Sequence, residues 1–497
     1  MLARCCFSAR PCKRCNYHVI AIKLTCYSDG NLLRGMNSYR SNPKSVTGRI
    51  GEFISRIELA DIPIKVRETA KLHLIDGLAT MIAGSDDGAS CAIRDYIRRL
   101  DCRGEATVIG TTKKFAAQHA ALANGVQGHV LDYDDSQLAT LSSRPFGQQT
   151  HPTTPVLASA LALAEKIRCT GAHFLTAYIV GVEVACRLGD AVRPSHYLDG
   201  FHPTGTLGTF GAAAACAHLL QLDEEHCAWA MGIAGTLASG VRANRGTMTK
   251  SLNAGRAAEN GVMAATLAQQ GFTASENIFE DAMGYFSAAC RNQYDPKLLF
   301  FGNPFFFAQP GIAIKLYPCA VVMHSLLDLL LRIVQRHNIR SDAVERIQVT
   351  MPPQSVLPLV YKRPKNSLQA KFSLPFAVAV ALADRAAGLA QYTDLKVKDP
   401  RVIDLMQRAD LLVSKHNATR PAGIRIILKD GWSYYGKPAK KHSASAVSRS
   451  KIEEKFRHCA GKKLTPRTIQ RLLDYLWSIE AQKSVSDVTR LLRTTRV

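Results

Sequence analysis

The sequence predicts a mainly α-helical chain. A large all-helical domain spans residues 45–310, a smaller α+β domain 311–440, and helices in 441–497 return to the first domain. Three observations lead there. A chain of 497 residues exceeds what one ordinary core organises. As far as residue 310, apolar residues recur at helical spacing on faces rich in Ala and Gly. Beyond it, two short runs alternate with period two, as half-buried strands do.

The helical pattern begins at Val46, with Ile50, Phe53, Ile54 and Ile57 on one face. Asp61-Ile62-Pro63 opens a longer helix, Asp61 as its cap and Pro63 in its first turn. Its body, 66–82, stops at Ala83-Gly84. Helices follow at 89–100, 116–129, 155–166, 171–192, 206–222, 224–237, 254–270 and 274–279. Past residue 310, a helix over 318–337 precedes an alternating strand, 347–351. A second alternating run, 424–428, turns at Asp430-Gly431 into a return strand from Trp432. Helices at 376–386 and 402–413 lie between these strands, and two more at 451–459 and 466–478 complete the chain.

The formal charge is +23, and residues 1–44 contribute disproportionately, with eight Lys/Arg against Asp29 alone. The basic residues elsewhere are scattered, without aromatic interleaving or a recognition-helix motif, which argues against a nucleic-acid partner. A basic field suits a small polyanionic substrate equally well. No apolar run has the length and character of a membrane span. The Arg-rich, acid-poor start reads either as a transit peptide or as an upstream extension before Met36. The expected location is cytoplasmic, or the mitochondrial matrix if 1–44 is a transit peptide. Cys12-x-x-Cys15 has zinc-knuckle spacing but no second such pair. The cysteines after Cys26 are spaced like small buried thiols of a reducing compartment.

Chemistry concentrates in Leu131-Asp132-Tyr133-Asp134-Asp135-Ser136, followed by Thr150-His151-Pro152. Carboxylates beside a histidine in apolar sequence are how a site tunes proton transfer. Asp132-x-Asp134-Asp135 also matches the acid motif of class II terpene cyclases, nearly matches the nucleophile motif of haloacid-dehalogenase-type phosphatases, and is compatible with a divalent metal. Its plain structural alternative is an acidic, solvated loop after a helix. His151 and His202 each precede a proline and a helix start, where the helix dipole favours the neutral imidazole; the alternative is a structural or surface histidine. Lys250 lies in a polar turn entering an Ala-rich helix, with Arg242 and Arg245 close by, a candidate anion pocket. Lys315 is flanked by apolar residues, so it needs an anionic partner, either a substrate carboxylate or a structural Asp.

Five segments occur in an order that resembles the MmgE/PrpD family: Leu131–Ser136, Thr150-His-Pro-Thr153, Phe201-His-Pro-Thr-Gly-Thr-Leu-Gly208, Thr249-Lys-Ser-Leu-Asn-Ala-Gly-Arg-Ala-Ala258 and Lys315-Leu-Tyr-Pro-Cys319. That family includes 2-methylcitrate dehydratase and cis-aconitate decarboxylase. The resemblance implies a large helical domain, a smaller α+β lid, a homodimer, and a site between the domains that uses no cofactor and no metal. It also implies site positions at Asp132, Ser136, His151, His202, Lys250 and Lys315. Two departures stand out: Ala320 where the animal decarboxylase branch has His, and Phe376 where it has Tyr. Both are expected to remove a polar group from the pocket, and residues 138–149 form an insertion that reshapes it.

The expected activity is therefore a cofactor-independent lyase. Dehydration of a 2-methylcitrate-like hydroxy-polycarboxylate comes first and decarboxylation of cis-aconitate second. A non-catalytic binder of acidic metabolites, and more distantly a terpene cyclase, are the readings from other classes. His151, His202 and Asp132 are the expected catalytic residues; Lys250, Lys315, Ser136, Asp135 and Arg242 are expected to bind substrate.

Overall fold

A computed structural model describes residues 45–100, 102–141, 149–414, 423–438 and 447–493. The expectations for residues 1–44, Cys12 and Cys15 included, and the insertion's segment 142–148 lie outside the described residues.

Helices dominate as far as residue 290, as the apolar spacing predicts. The first is Val46–Arg56, whose cap Ser45 accepts the Gly48 amide. Ile64–Gly84 follows, but Asp61 does not cap it. Asp61 belongs to a short 3₁₀ turn, Leu59–Asp61, and accepts the Glu58 amide, while Pro63 stands just before the helix. The helices that build the site are Ala117–His129, Thr153–Ile167, Gly171–Ala191, Pro203–Leu219 and Thr249–Gln269. The last begins five residues before the expected Ala254, which places Lys250 within its first turn. The expected helix at 274–279 is a series of turns instead, and Tyr285–Cys290 is helical.

Small residues decide how closely these helices meet. A Cβ on Gly125 would lie 2.8 Å from the Gly255 Cα, and one on Gly255 would lie 2.6 Å from the Leu122 carbonyl oxygen. Helices Ala117–His129 and Thr249–Gln269 therefore touch backbone to backbone, and this brings their side chains at the site end within hydrogen-bonding reach.

One apolar core runs from Val46 to Ile314 and takes in Ile452–Leu492, so the C-terminal helices Arg449–Ala460 and Pro466–Trp477 pack on the helical lobe. A separate core, Cys319–Ile426, belongs to a four-stranded sheet and its covering helices. The strand order is Ala409–Val413, Val344–Met351, Gly423–Leu428, Ser433–Gly436. The first pair is parallel and the others antiparallel, with Ile347 opposite Ile426 and Val349 opposite Ile424. Their alternate side chains are buried under His324–Arg336 and Leu374–Asp384. The expected helix over 402–413 is divided: Pro400–Gln407 is helical and Ala409–Val413 is a strand. No described helix is long and apolar enough to cross a membrane.

Candidate active site

The helix Ala117–His129 ends at the acidic motif. Asp132 follows in the left-handed region, φ 50°, which Asp tolerates better than most residues. This turn throws the three carboxylates in different directions, and all three are buried, so the solvated-loop reading does not hold.

Asp132 meets two lysines. Lys250 Nζ lies 2.9 Å from Oδ1 and Lys315 Nζ lies 3.0 Å from Oδ2, while Lys315 donates its hydrogen bond to the Asp132 backbone carbonyl at 3.0 Å. Burial alone would raise this carboxyl's pKa; the two ammonium groups outweigh it and hold it well below the usual range. Burial lowers the pKa of Lys250.

Asp134 faces a histidine that was not among the expected site residues. His129 Nδ1 lies 2.7 Å from Asp134 Oδ2, and His129 Nε2 lies 2.7 Å from Lys250 Nζ. An ammonium only donates, so Nε2 accepts and Nδ1–H points to the carboxylate. Asp134, His129, Lys250 and Asp132 thus form one continuous hydrogen-bonded line. The place of His129 at the end of the helix, three residues before Asp132, gives no local signal that separates it from an ordinary buried helix residue. Thr154 Oγ1 donates to Asp134 at 2.8 Å.

Asp135 is a correction. It was expected to bind substrate, but its carboxylate turns away into the core. It meets His73 Nδ1 at 2.8 Å, and accepts the Thr153 hydroxyl at 2.5 Å and the Thr153 amide at 3.3 Å. With those contacts made and 1% of the residue exposed, it orders the turn and has nothing left to offer a ligand.

The remaining expected residues converge on one cavity. Ser136, His151, His202, Arg242, Lys250, Lys315 and Asp132 line it, with Gln149, Tyr197 and Arg245 from the helical lobe and Ala320, Pro358 and Phe372 from the lobe that holds the sheet. About 520 Å³ between these side chains is free of atoms, open solvent at the mouth included. His151 Nδ1 lies 2.6 Å from the Asp135 carbonyl and 3.5 Å from Ser136 Oγ. His202 precedes the helix Pro203–Leu219 and its Nδ1 lies 3.0 Å from Asn253 Nδ2. Both imidazoles have pKa values well below the ordinary one. Burial is the main cause, followed by Lys315 for His151 and Lys250 for His202. The helix-dipole argument reached the same direction from a different cause.

Arg242 stacks on the Tyr197 ring at 3.5 Å and donates to the Tyr197 carbonyl; Arg245 donates to the Tyr197 hydroxyl at 2.8 Å. Neither has a carboxylate partner among the described residues. Phe376 is a second correction. It does not face the cavity; it is fully buried in the sheet lobe, its ring 5.5 Å from that of Tyr392. Of the two departures, only Ala320 changes the pocket wall.

His129, Asp134 and His151 have ligand-type atoms within 4.8 Å of one another. His129 Nδ1 and Asp134 Oδ2 are engaged with each other and His151 Nδ1 with the Asp135 carbonyl, while Asp134 Oδ1 has no hydrogen-bond partner among the described residues, and Lys250 hydrogen-bonds His129 directly. A cation would have to compete with that ammonium, so the cluster reads as a proton-holding network, in which charge repulsion disfavours a metal.

Residues 48–297 match the model of the MmgE/PrpD N-terminal domain and residues 317–479 that of the MmgE/PrpD C-terminal domain. Among curated proteins, the Homo sapiens cis-aconitate decarboxylase is 26% identical over 474 residues, covering 90% of this chain and 95% of that protein. The Aspergillus terreus cis-aconitate decarboxylase is 27% identical over 480 residues, covering 91% and 96%. The Aspergillus oryzae cis-aconitate decarboxylase-like protein is 26% identical over 482 residues, covering 90% and 97%. With both halves of the chain matched, in order, by the two domains of one family, the chain belongs to the MmgE/PrpD family.

Proposed function

We propose that this protein is a cofactor-independent lyase acting on a small polycarboxylate, with decarboxylation of a cis-aconitate-type substrate as the leading reaction. This reverses the order expected from the sequence, where Ala320 and Phe376 together weighed against decarboxylation. Phe376 lies outside the cavity, and decarboxylases of that name align over nine-tenths of the chain. The observation that carries the reading is the charge of the cavity. Asp132 offsets one of Lys250 and Lys315, Asp134 the other, and the histidines are neutral. Arg242 and Arg245 then stand unmatched, ready for substrate carboxylates.

In decarboxylation, the carbon–carbon bond to one carboxylate breaks, carbon dioxide leaves, and the electron pair stays on the substrate. Cations around the retained carboxylates lower the cost of that charge. The pair is quenched by a proton delivered to carbon. Lys250, its pKa lowered by burial, is the acid nearest to hand; His129 Nε2, held by the contact of Nδ1–H with Asp134, accepts from that ammonium and orients it, and Lys250 recovers its proton from solvent once the products leave.

A second reading, dehydration of a 2-methylcitrate-like hydroxy acid, is favoured by the two histidines. His151 Nδ1–H donates to the Asp135 carbonyl, which leaves Nε2 as a base. His202 Nδ1 accepts from the Asn253 amide, which leaves Nε2–H as a donor. One base and one donor are what removal of a proton and a hydroxyl requires. Ala320 adds nothing to either step. A homodimer and a soluble compartment belong to the same proposal.

The test is a proton NMR time course with cis-aconitate, citrate and 2-methylcitrate supplied separately. Carbon dioxide and a methylene pair from cis-aconitate support the carboxy-lyase. New alkene signals from a hydroxy acid without gas release support the hydro-lyase. No turnover of any of them by folded protein overturns both. His151→Ala or His202→Ala is expected to cost about 10²–10⁴ in rate if that side chain transfers the proton.

A further inference from the structure

A second, smaller compartment adjoins the cavity and shares Asp132, Lys250 and Phe372 with it. Its other lining includes Thr247, Ser251 and Lys371, none of which the proposed chemistry uses. Lys371 is only 4% exposed. Among the described residues its ammonium meets one hydrogen-bond acceptor, the Ser367 carbonyl, at 3.4 Å, and no carboxylate at ion-pair distance. Every other lysine with so little exposure has a carboxylate: Lys71 has Glu68 and Glu480, Lys315 has Asp132, and Lys455 has Asp76. Burying an ammonium without its counter-charge is costly, and burial does depress the pKa of Lys371. A lysine kept in that state beside a cavity is a lysine waiting for an anion.

We infer that Lys371 and Lys250 form a second anion subsite, which receives one carboxylate of the substrate while Arg242 and Arg245 hold another in the main cavity. The inference rests on the polycarboxylate reading above and adds a specificity rule to it. A substrate with three carboxylates engages both compartments; one with two does not satisfy Lys371 and the arginines together with a third group left for chemistry. The carboxylate at Lys371 is a retained anchor. An ammonium beside it stabilises the charged ground state, which would slow its loss as carbon dioxide. The group that leaves is one without such a partner.

The experiment is calorimetric binding of two unreactive probes, propane-1,2,3-tricarboxylate and the monocarboxylate butanoate, to the full chain and to Lys371→Met and Lys371→Arg. The wild type is expected to prefer the tricarboxylate. Lys371→Met is expected to weaken the tricarboxylate by about 10- to 100-fold, the range for a lost charge-assisted hydrogen bond, and to leave butanoate, whose single carboxylate is held by the arginines, nearly unchanged. Lys371→Arg restores part of the preference. Without ligand, Lys371→Met melts at the same temperature or a few degrees higher, because an unmatched buried charge has gone. Equal binding of both probes by Lys371→Met and wild type overturns the subsite but leaves the polycarboxylate site standing. So does an equal loss on both probes accompanied by a lower melting temperature, which marks a structural lysine. If the wild type binds neither probe, the polycarboxylate reading itself fails and the subsite with it.

Discussion

His129, His151 and His202 cluster with ring centroids 4.8 Å apart for the first two and 5.6 Å for His129 and His202, and burial lowers the pKa of each. The sign of the consequence is definite. Between the folded pKa values and the ordinary one near 6.5, the unfolded chain binds more protons than the native protein, so stability is intact above about pH 6.5 and is lost as pH falls below it. Each imidazole contributes a slope of up to about 1.4 kcal/mol per pH unit. Urea unfolding at pH 7 and pH 5.5 is expected to show a loss that His202→Gln reduces by about one proton's worth. An unchanged slope in that variant would mean His202 is charged in the native state. Catalysis gives an independent readout: kcat should show no inflection near pH 6.5. His151, His202, Lys250 and Lys315 were legible in the sequence because each sits beside a proline, a polar turn or an apolar run that isolates it. His129 and Tyr197 were not, because nothing local separates them from ordinary helix residues; only the fold brings them to the cavity. Asp135 was misread for the same reason, since its neighbours in sequence face the cavity and only the turn at Asp132 turns it inward.

Among the elements, the helix Arg449–Ala460 does more than fill the core. Its Lys455 pairs with Asp76 at 2.6 Å and donates to the carbonyls of Tyr133 at 2.9 Å and Lys315 at 2.8 Å. One ammonium thereby fixes the backbone on both sides of the Asp132–Lys315 contact. Burial is the first cause that raises the Asp76 carboxyl to about 6, with Lys455 opposing it. Lys455→Met should therefore cost roughly 3–5 kcal/mol, the range for breaking a buried pair, and should lower kcat more than it raises KM if the protein remains folded. A variant with full kcat would show that Lys315 holds its place without the clamp. The contact of Gly125 with Gly255 makes a matching case. Gly255→Ala puts a methyl group against the Leu122 carbonyl and separates His129 from Lys250, so it is expected to lower both stability and turnover, while Gly271→Ala, at a site with open space, should lower stability alone through its φ of 79°. Helix-length apolar patterns predicted most of these elements, because local spacing is enough to mark a buried face. The 402–413 region failed because Leu411, Leu412 and Val413 become a strand only through pairing with Val349, Thr350 and Met351, some sixty residues earlier, and a long-range partner leaves no local trace.

Across the whole molecule, the cavity lies where the helical lobe and the sheet lobe meet, so its two walls come from separate cores. The order of the motifs made that arrangement legible, while the sheet lobe's share of the wall, Ala320, Pro358 and Phe372, was visible only in part. The chain carries a net charge of +23 and a site whose arginines have no acid partners among the described residues, and that combination bears on encounter as well as on binding. A trivalent anion approaching such a protein is drawn in by a field that reaches about 10 Å at 0.1 M salt and shrinks to about 3 Å at 1 M. We therefore expect kcat/KM for a tricarboxylate to fall several-fold as inert salt rises over that range, with kcat nearly constant, because the buried pairs at Asp132 are screened far less than the approach. Measuring kcat/KM against ionic strength for wild type and Arg245→Gln separates the contributions. If the exposed charge of the whole chain steers the substrate, both proteins share one slope and differ only in level. If the mouth arginines do the steering, the slope flattens in the variant. An increase of kcat/KM with salt would contradict an anionic substrate altogether.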